Sequence, residues 1–236
     1  MNLFYQPNIN ETSQDVIFDK EESRHISRVL RKVEGDIINL TNGMGFFFEA
    51  KLTNTNPKKC TAVIVSLEKQ DPMSYRLHLA VAPTKLNDRY EWFLEKATEI
   101  GVTEITPIIC DHSERKVINH ERYNKIIQSA MKQSLKAYLP ILHEAITLKN
   151  FLSQEHSEEI KCIAHCENID KQSLKSVVKK NKDTLILIGP EGDFSINEIN
   201  RAIALKITPI TLGNSRLRTE TAAVLACHSV YFTALN

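Results

Sequence analysis

The period of the apolar positions changes along the chain. In the first third, short runs suit strands: Val16-Ile17-Phe18, Asp36 to Leu40, Phe46 to Leu52 and Thr61 to Leu67, with Asn42-Gly43 offering a hairpin turn. Between the first two runs, Glu21 to Val33 sets Ile26, Val29, Leu30 and Val33 at helical spacing and leaves Arg24, Arg28, Arg31 and Lys32 on the opposite face. By itself such a basic stripe reads as a solvated helix face. Glu68 to Tyr75 contains Asp71-Pro72 and no period, so a boundary falls there, separating residues 1–71 from residues 72–236.

Beyond the boundary, continuous apolar runs alternate with helical patterns. Leu77 to Ala82 reads as a buried strand stopped by Pro83. Asp88 to Ile100 is a helix with Tyr90, Phe93, Leu94, Ala97 and Ile100 on one face and Gly101 as a left-handed cap. Val102 to Ile109 is a strand. Glu121 to Tyr138 is a helix with Tyr123, Ile126, Ile127, Ala130 and Ser134 inward, closed by Leu139-Pro140. Ile160 to Ala164 is a strand and Leu174 to Lys180 a weak helix. Then Leu185 to Ile188 runs into the loop Gly189-Pro190-Glu191-Gly192-Asp193-Phe194. A capping box, Ser195 with Glu198, and a staple of Phe194 onto Ile199 start the next helix. Ile207 to Leu212 leads into a second loop, Gly213 to Arg218, and a helix from about Thr219 whose small face is Ala222, Ala223 and Ala226. This alternation predicts an α/β domain with a mostly parallel sheet covered on both faces. Ligands of such sheets sit at the carboxyl ends of the strands, and three of the seven glycines, Gly189, Gly192 and Gly213, fall in the two loops there.

Composition narrows the classes. With 236 residues, 42% hydrophobic and 25% charged, the chain can bury one large or two modest cores. Its apolar runs fall far short of the roughly 18 residues that cross a bilayer, and its N-terminus lacks a basic segment followed by an apolar one. A cytoplasmic protein without a membrane partner is the expectation. The five scattered cysteines read as reduced thiols. Cys162, His165 and Cys166 are close enough to raise a metal site, but zinc sites usually draw on two such clusters and the sequence offers one, so no metal is expected. A net charge of +1 leaves any nucleic-acid surface to uneven placement of the 30 basic residues. Neither the dinucleotide fingerprint nor the P-loop motif occurs.

Three ordered blocks carry a resemblance. Ile188-Gly189-Pro190-Glu191-Gly192, Leu212-Gly213 with Leu217-Arg218-Thr219-Glu220-Thr221-Ala222, and Lys96 to Val102 with Pro107, Gln133-Ser134 and Pro140 resemble the SPOUT methyltransferases, in particular the RsmE-type enzymes. The N-terminal pattern Arg24-His25, Val29-Leu30-Arg31 and Gly35-Asp36 is similar to the PUA-like domain that opens those proteins. The resemblance implies a small PUA-like β-barrel over residues 1–71 and a SPOUT α/β domain with a deep C-terminal trefoil knot over residues 72–236. It implies an S-adenosylmethionine-dependent methyltransferase acting on N3 of a uridine in small-subunit (16S) ribosomal RNA, free or in the assembled subunit. A homodimer through the knotted domain goes with it. Asp193, where the family usually repeats glycine, and Asn214-Ser215-Arg216, in place of a proline-containing stretch, depart from the pattern.

By that resemblance the cofactor residues are His165, Ile188, Gly189, Pro190, Glu191, Gly192, Leu212, Gly213, Leu217 and Thr221. His165 is as readily structural, and Glu191 suits bonding backbone N–H groups of its loop. The uracil imide must lose its proton and present an anion to the methyl group, so a fixed cation is needed. Arg218 is the candidate, because an arginine offers several donors and a permanent charge. Glu220 can orient it or help take the proton, and an Arg218–Glu220 salt bridge is the bland alternative. Arg24, Arg28 and Arg31 in the first domain, with Lys85, Arg89 and Arg115 in the second, are candidate RNA contacts. Two rival readings are a non-catalytic RNA-binding protein of the same architecture and a SPOUT methyltransferase acting on another RNA.

Overall fold

The computed structural model describes residues 2–235, which divide into two compact units: residues up to 72 with 131–139, and residues 73–130 with those from 140 onward. The first unit contains β1 (Leu3–Tyr5), β2 (Asp15–Ile17), α1 (Lys20–Arg24), β3 (Ile37–Thr41), β4 (Phe46–Asn54) and β5 (Thr61–Lys69). The strands form one sheet in the order β1-β3-β4-β5-β2, parallel only between β1 and β3. Phe4, Phe18, Ile26, Leu40, Phe48, Leu52 and Cys60 fill its core. The three-residue β1 is too short to show a period and exists because β3 supplies its partner.

The helix expected over Glu21 to Val33 is shorter and changes type. After α1 the chain widens into a π-turn at His25–Val29, with the Leu30 N–H on the His25 carbonyl at 2.9 Å, and Arg31 then takes a positive φ of +52°. A π-turn advances the chain by less rotation per residue than an α-turn, so the apolar stripe loses its phase. Ile26 is fully buried, whereas Val29 and Val33 are 69% and 61% exposed. The Asp36 carboxylate takes the Val33 N–H at 3.0 Å and leads the chain into β3. Asn42 and Gly43 do turn the chain, in a four-residue loop whose Asn42 Oδ1 accepts from the N–H groups of Met44 and Phe46.

The second unit holds β6 (Leu77–Val81), α2 (Asn87–Ile100), β7 (Glu104–Ile109), α3 (His120–Gln133), β8 (Ile141–Leu142), β9 (Ile146–Thr147), α4 (Leu148–Phe151), β10 (Ile160–Ala164), β11 (Gln172–Ser173), α5 (Leu174–Val177), β12 (Thr184–Ile188), α6 (Ile196–Ala204), β13 (Thr208–Thr211) and α7 (Thr219–Leu235). Its strands pair in parallel in the order β11-β13-β10-β12-β6-β7-β8, with β9 also on β7. The central β12 is buried at all five residues, as its unbroken apolar run implies. Ala80, Ile108, Phe151, Ile163, Leu185, Leu187, Phe194 and Ile199 share one core.

The helix expected to reach Tyr138 ends at Gln133. There Leu135 adopts a φ of +54° and the Lys136 N–H bonds the Met131 carbonyl, a closure that stops the helix. From Met131 onward these residues pack with the first unit: the Gly45 N–H bonds the Ala137 carbonyl and the Leu139 N–H the Gly43 carbonyl. Leu174 to Lys180 yields only the single turn of α5. From β13, near one edge of the sheet, the chain returns to lay α7 over α2, β6 and β12. Ala223, Ala226, Cys227 and Val230 are its buried apolar residues, with Ala222 only partly buried.

Candidate functional site

The sheet order brings the two glycine loops to one place. β10 lies between β12 and β13, so the loop Gly189–Phe194 after β12 and the loop Gly213–Arg218 after β13 flank His165, the residue that follows β10. All three leave the carboxyl ends of parallel strands.

The first loop is held from several sides. Gly189 sits in a tight place, since a Cβ there would lie 3.0 Å from the Phe194 ring and 3.2 Å from its backbone nitrogen. Its carbonyl accepts the Thr219 hydroxyl at 3.0 Å, which fixes the start of α7 against the loop. Glu191 Oε1 accepts the Lys85 N–H at 2.9 Å, so this carboxylate ties the loop to the segment after β6. Asp193 stands at φ +62°, a conformation that glycine adopts freely and Asp tolerates. Its carboxylate accepts the N–H groups of Cys166 at 2.7 Å and Phe194 at 2.8 Å. The Asp193 side chain therefore links the β10 and β12 loops. The capping box is complete, and Ser195 also donates to Asp111 Oδ2 at 2.6 Å.

Two buried polar groups near this region lack full partners among the described residues. Both ring nitrogens of His165 are buried and unpaired among the described residues, and burial, helped by Lys171, pushes its pKa below the usual value against the opposing charges of Asp193 and Glu167. Glu220 is 7% exposed; its Oε2 has no partner and its Oε1 lies 3.9 Å from Arg89 Nε. Buried polar atoms are normally hydrogen-bonded, so such orphans mark positions that a bound molecule can satisfy. Gly213, at φ +130°, has open space where a Cβ would stand.

Arg218 is exposed at the end of the second loop and among the described residues makes no ion pair, so Glu220 pairs with Arg89 instead. Ile188 and Pro190 are buried, Leu212 and Leu217 partly buried, and Thr221 points outward from α7. Arg115 is half-buried, donating to the carbonyls of Thr84 and Lys85 at 3.0 and 2.9 Å, while the Lys85 ammonium pairs with Glu114. Arg24, Arg28 and Arg31 are exposed. Cys162, buried within β10 with its thiol pushed up to about 12 by burial, does not join His165 and exposed Cys166 in a ligand set. Reading the sequence alone misses Thr219, His112, which bonds the Gly192 carbonyl, and the Arg89–Glu220 pair. Each joins segments far apart in the chain and carries no local signal.

Known proteins resemble this chain in sequence and fold. A family model for an RNA methyltransferase domain matches residues 71–231, and one for an RNA methyltransferase PUA domain matches residues 18–65. A solved probable rRNA-methyltransferase from Porphyromonas gingivalis is 39% identical, covers 100% of this chain and 99% of its own, and superposes with a TM-score of 0.92. The ribosomal RNA small subunit methyltransferase E of Neisseria gonorrhoeae, solved bound to S-adenosyl methionine, is 27% identical over 98% of this chain and 97% of its own, with a TM-score of 0.85. The enzyme of that name from Rickettsia conorii is 28% identical over 97% of this chain and 93% of its own.

Proposed function

Because the chain belongs to the RNA methyltransferase family, matched over residues 71–231, we propose that it methylates N3 of a uridine in small-subunit (16S) ribosomal RNA with S-adenosylmethionine as donor. The observation that carries this reading is the pair of glycine loops on either side of His165, with two orphaned buried side chains beside them. The names of the relatives support small-subunit ribosomal RNA as the substrate, and the cofactor bound to the Neisseria protein supports the donor.

The residues present fit the cofactor. Gly189 and Gly192 lie where a Cβ would crowd Phe194 and His112, which leaves the loop backbone as the wall of the site. Ile188, Pro190, Leu212 and Leu217 supply apolar surface, Gly213 leaves a clear approach, and the His165 ring and Glu191 complete the set. Thr221 faces outward and acts through the start of α7. When bound, S-adenosylmethionine supplies an electrophilic sulfonium methyl. Arg218, unpaired and exposed beside the site, stabilises the negative charge that develops on the uracil oxygens. Glu220, drawn towards Arg89 and holding one unsatisfied oxygen, takes or relays the imide proton.

Residues 1–71 serve as a PUA-like RNA-binding domain and residues 72–236 as the SPOUT domain. Arg24, Arg28 and Arg31 contact phosphate in the first; Lys85, Arg89 and Arg115 shape or line the RNA side of the second. The C-terminus forms a trefoil knot, which the return of α7 over the sheet and the Thr219–Gly189 bond support. The protein works in the cytoplasm as a homodimer. Among the described residues no helix is long and apolar enough to cross a membrane.

The test is to incubate the protein with labelled S-adenosylmethionine and small ribosomal subunits lacking their natural modifications, and to map the label with nucleases. One uridine labelled at N3 is expected. Label in another RNA would move the substrate, and neither label nor calorimetric uptake of the donor would leave an RNA-binding protein of the same architecture.

A further inference from the structure

At the opposite, amino end of the parallel sheet lies a second constellation of side chains, with which the loops have no part. β6 and β7 pair in register His78 to Glu104, so these two side chains stand side by side on one face, with Thr106 two residues further along. His143 follows β8 and is pinned there by its N–H on the Ile105 carbonyl at 2.9 Å. One ligand atom each from His78, Glu104 and His143 lies within 4.8 Å of the others. They open onto a cavity of about 480 Å³ that His156 and Glu158 also line.

From this geometry we propose that His78, Glu104 and His143 bind a divalent transition-metal ion of the zinc class, with the fourth position open to the cavity. Two imidazoles and a carboxylate are a donor set that suits such an ion, and tetrahedral coordination at 2.0–2.1 Å separates ligand atoms by about 3.3 Å. His143 Nε2 and Glu104 Oε2 already stand 3.1 Å apart. Their side chains are 41% and 18% exposed.

His78 is arranged as a ligand histidine usually is. Its Nδ1 bonds Glu158 Oε1 at 3.1 Å, which leaves Nε2, now 2.7 Å from the Thr106 hydroxyl, as the nitrogen that would exchange that contact for the ion. A carboxylate behind the histidine fixes the ring and raises its basicity. Glu158 is 6% exposed, and its second oxygen has no partner. Glu158 thus brings a buried, half-satisfied carboxylate to the cavity wall behind His78, where buried polar groups are normally fully partnered. Charge also balances, since the carboxylates of Glu104 and Glu158 offset a divalent ion. The neighbouring cation Arg76 is engaged by Asp183 at 3.0 Å and Ser157 at 3.1 Å and lies 3.8 Å from Glu104 Oε1, not the oxygen facing His143.

The experiment uses the full chain, stripped with chelator and titrated with ZnCl2 or CoCl2 by calorimetry, visible absorption and thermal melting. One ion per chain is expected, with a raised melting temperature because the ion binds only the folded state, and a Co2+ spectrum with d–d bands and no thiolate charge-transfer band. Glu158→Gln should weaken binding by about 10–100-fold, as loss of an outer-shell partner does, and His143→Ala and Glu104→Gln by more. Metal-free melting of each variant near the parent's shows that the fold survives. No stoichiometric uptake, a thiolate band, or affinity unchanged in the folded His143→Ala and Glu104→Gln proteins would overturn the site.

Discussion

Arg218 ends the second glycine loop exposed and, among the described residues, without an ion-pair partner, while the carboxylate once expected to hold it, Glu220, is buried and turned to Arg89. A cation left unpaired beside a glycine-walled site is available to a substrate. Arg218→Ala is therefore expected to lower kcat by at least about 100-fold, the effect of losing a donor to developing charge. The affinity for S-adenosylmethionine, measured by calorimetry, should stay within a few-fold; unchanged turnover would remove Arg218 from the chemistry. His165 makes a different prediction. Burial first, and then Lys171, hold its folded-state pKa below the ordinary 6.5. The unfolded chain thus binds this proton more readily. Stability from the neutral ring is complete above pH 6.5 and declines as pH falls below it. Urea midpoints of His165→Gln should vary less over pH 5 to 7 than those of the parent protein.

Among the elements, α6 has the firmest start. Ser195 accepts the Glu198 N–H, Glu198 Oε2 accepts the Ser195 N–H at 2.8 Å, and the same two side chains reach across to Asp111, the hydroxyl to Oδ2 and Glu198 Oε1 to the N–H. Removing an N-cap hydroxyl typically costs ~1 kcal/mol. Because Ser195 also binds Asp111, Ser195→Ala is expected to destabilise by about 1–2 kcal/mol in chemical denaturation; no change would show that the cap is redundant. The contrast is the first-unit helix. Its apolar stripe is as regular as that of α2, yet a π-turn at His25–Val29 leaves Val29 and Val33 in solvent. Periodicity reports which residues favour a helix; it does not report where the hydrogen-bond spacing slips.

For the whole molecule, α7 has one outward stripe, Thr221, Leu225, His228, Phe232 and Leu235, with Leu225 and Leu235 38% and 63% exposed. A second copy would cover it in the proposed dimer. Light scattering at micromolar concentration is expected to give twice the chain mass, and Leu225→Asp to shift the species towards monomer. A strict monomer in the parent protein would end the dimer reading.

The sequence by itself determined the α/β alternation, the buried central strand, the capping box and both glycine loops, because each is written in neighbouring residues whose spacing sets local geometry. The resemblance supplied the chemistry of those loops as an expectation about the family. Tertiary structure alone decided that β10 stands between β12 and β13, which puts His165 between the loops, and that α7 returns to bond Thr219 to Gly189. It also decided that Glu220 faces Arg89, and that His78, Glu104 and His143 meet at the far end of the sheet. These residues lie tens of positions apart. Strand order and register bring them together, and both follow from burying whole faces rather than from any short stretch of the chain.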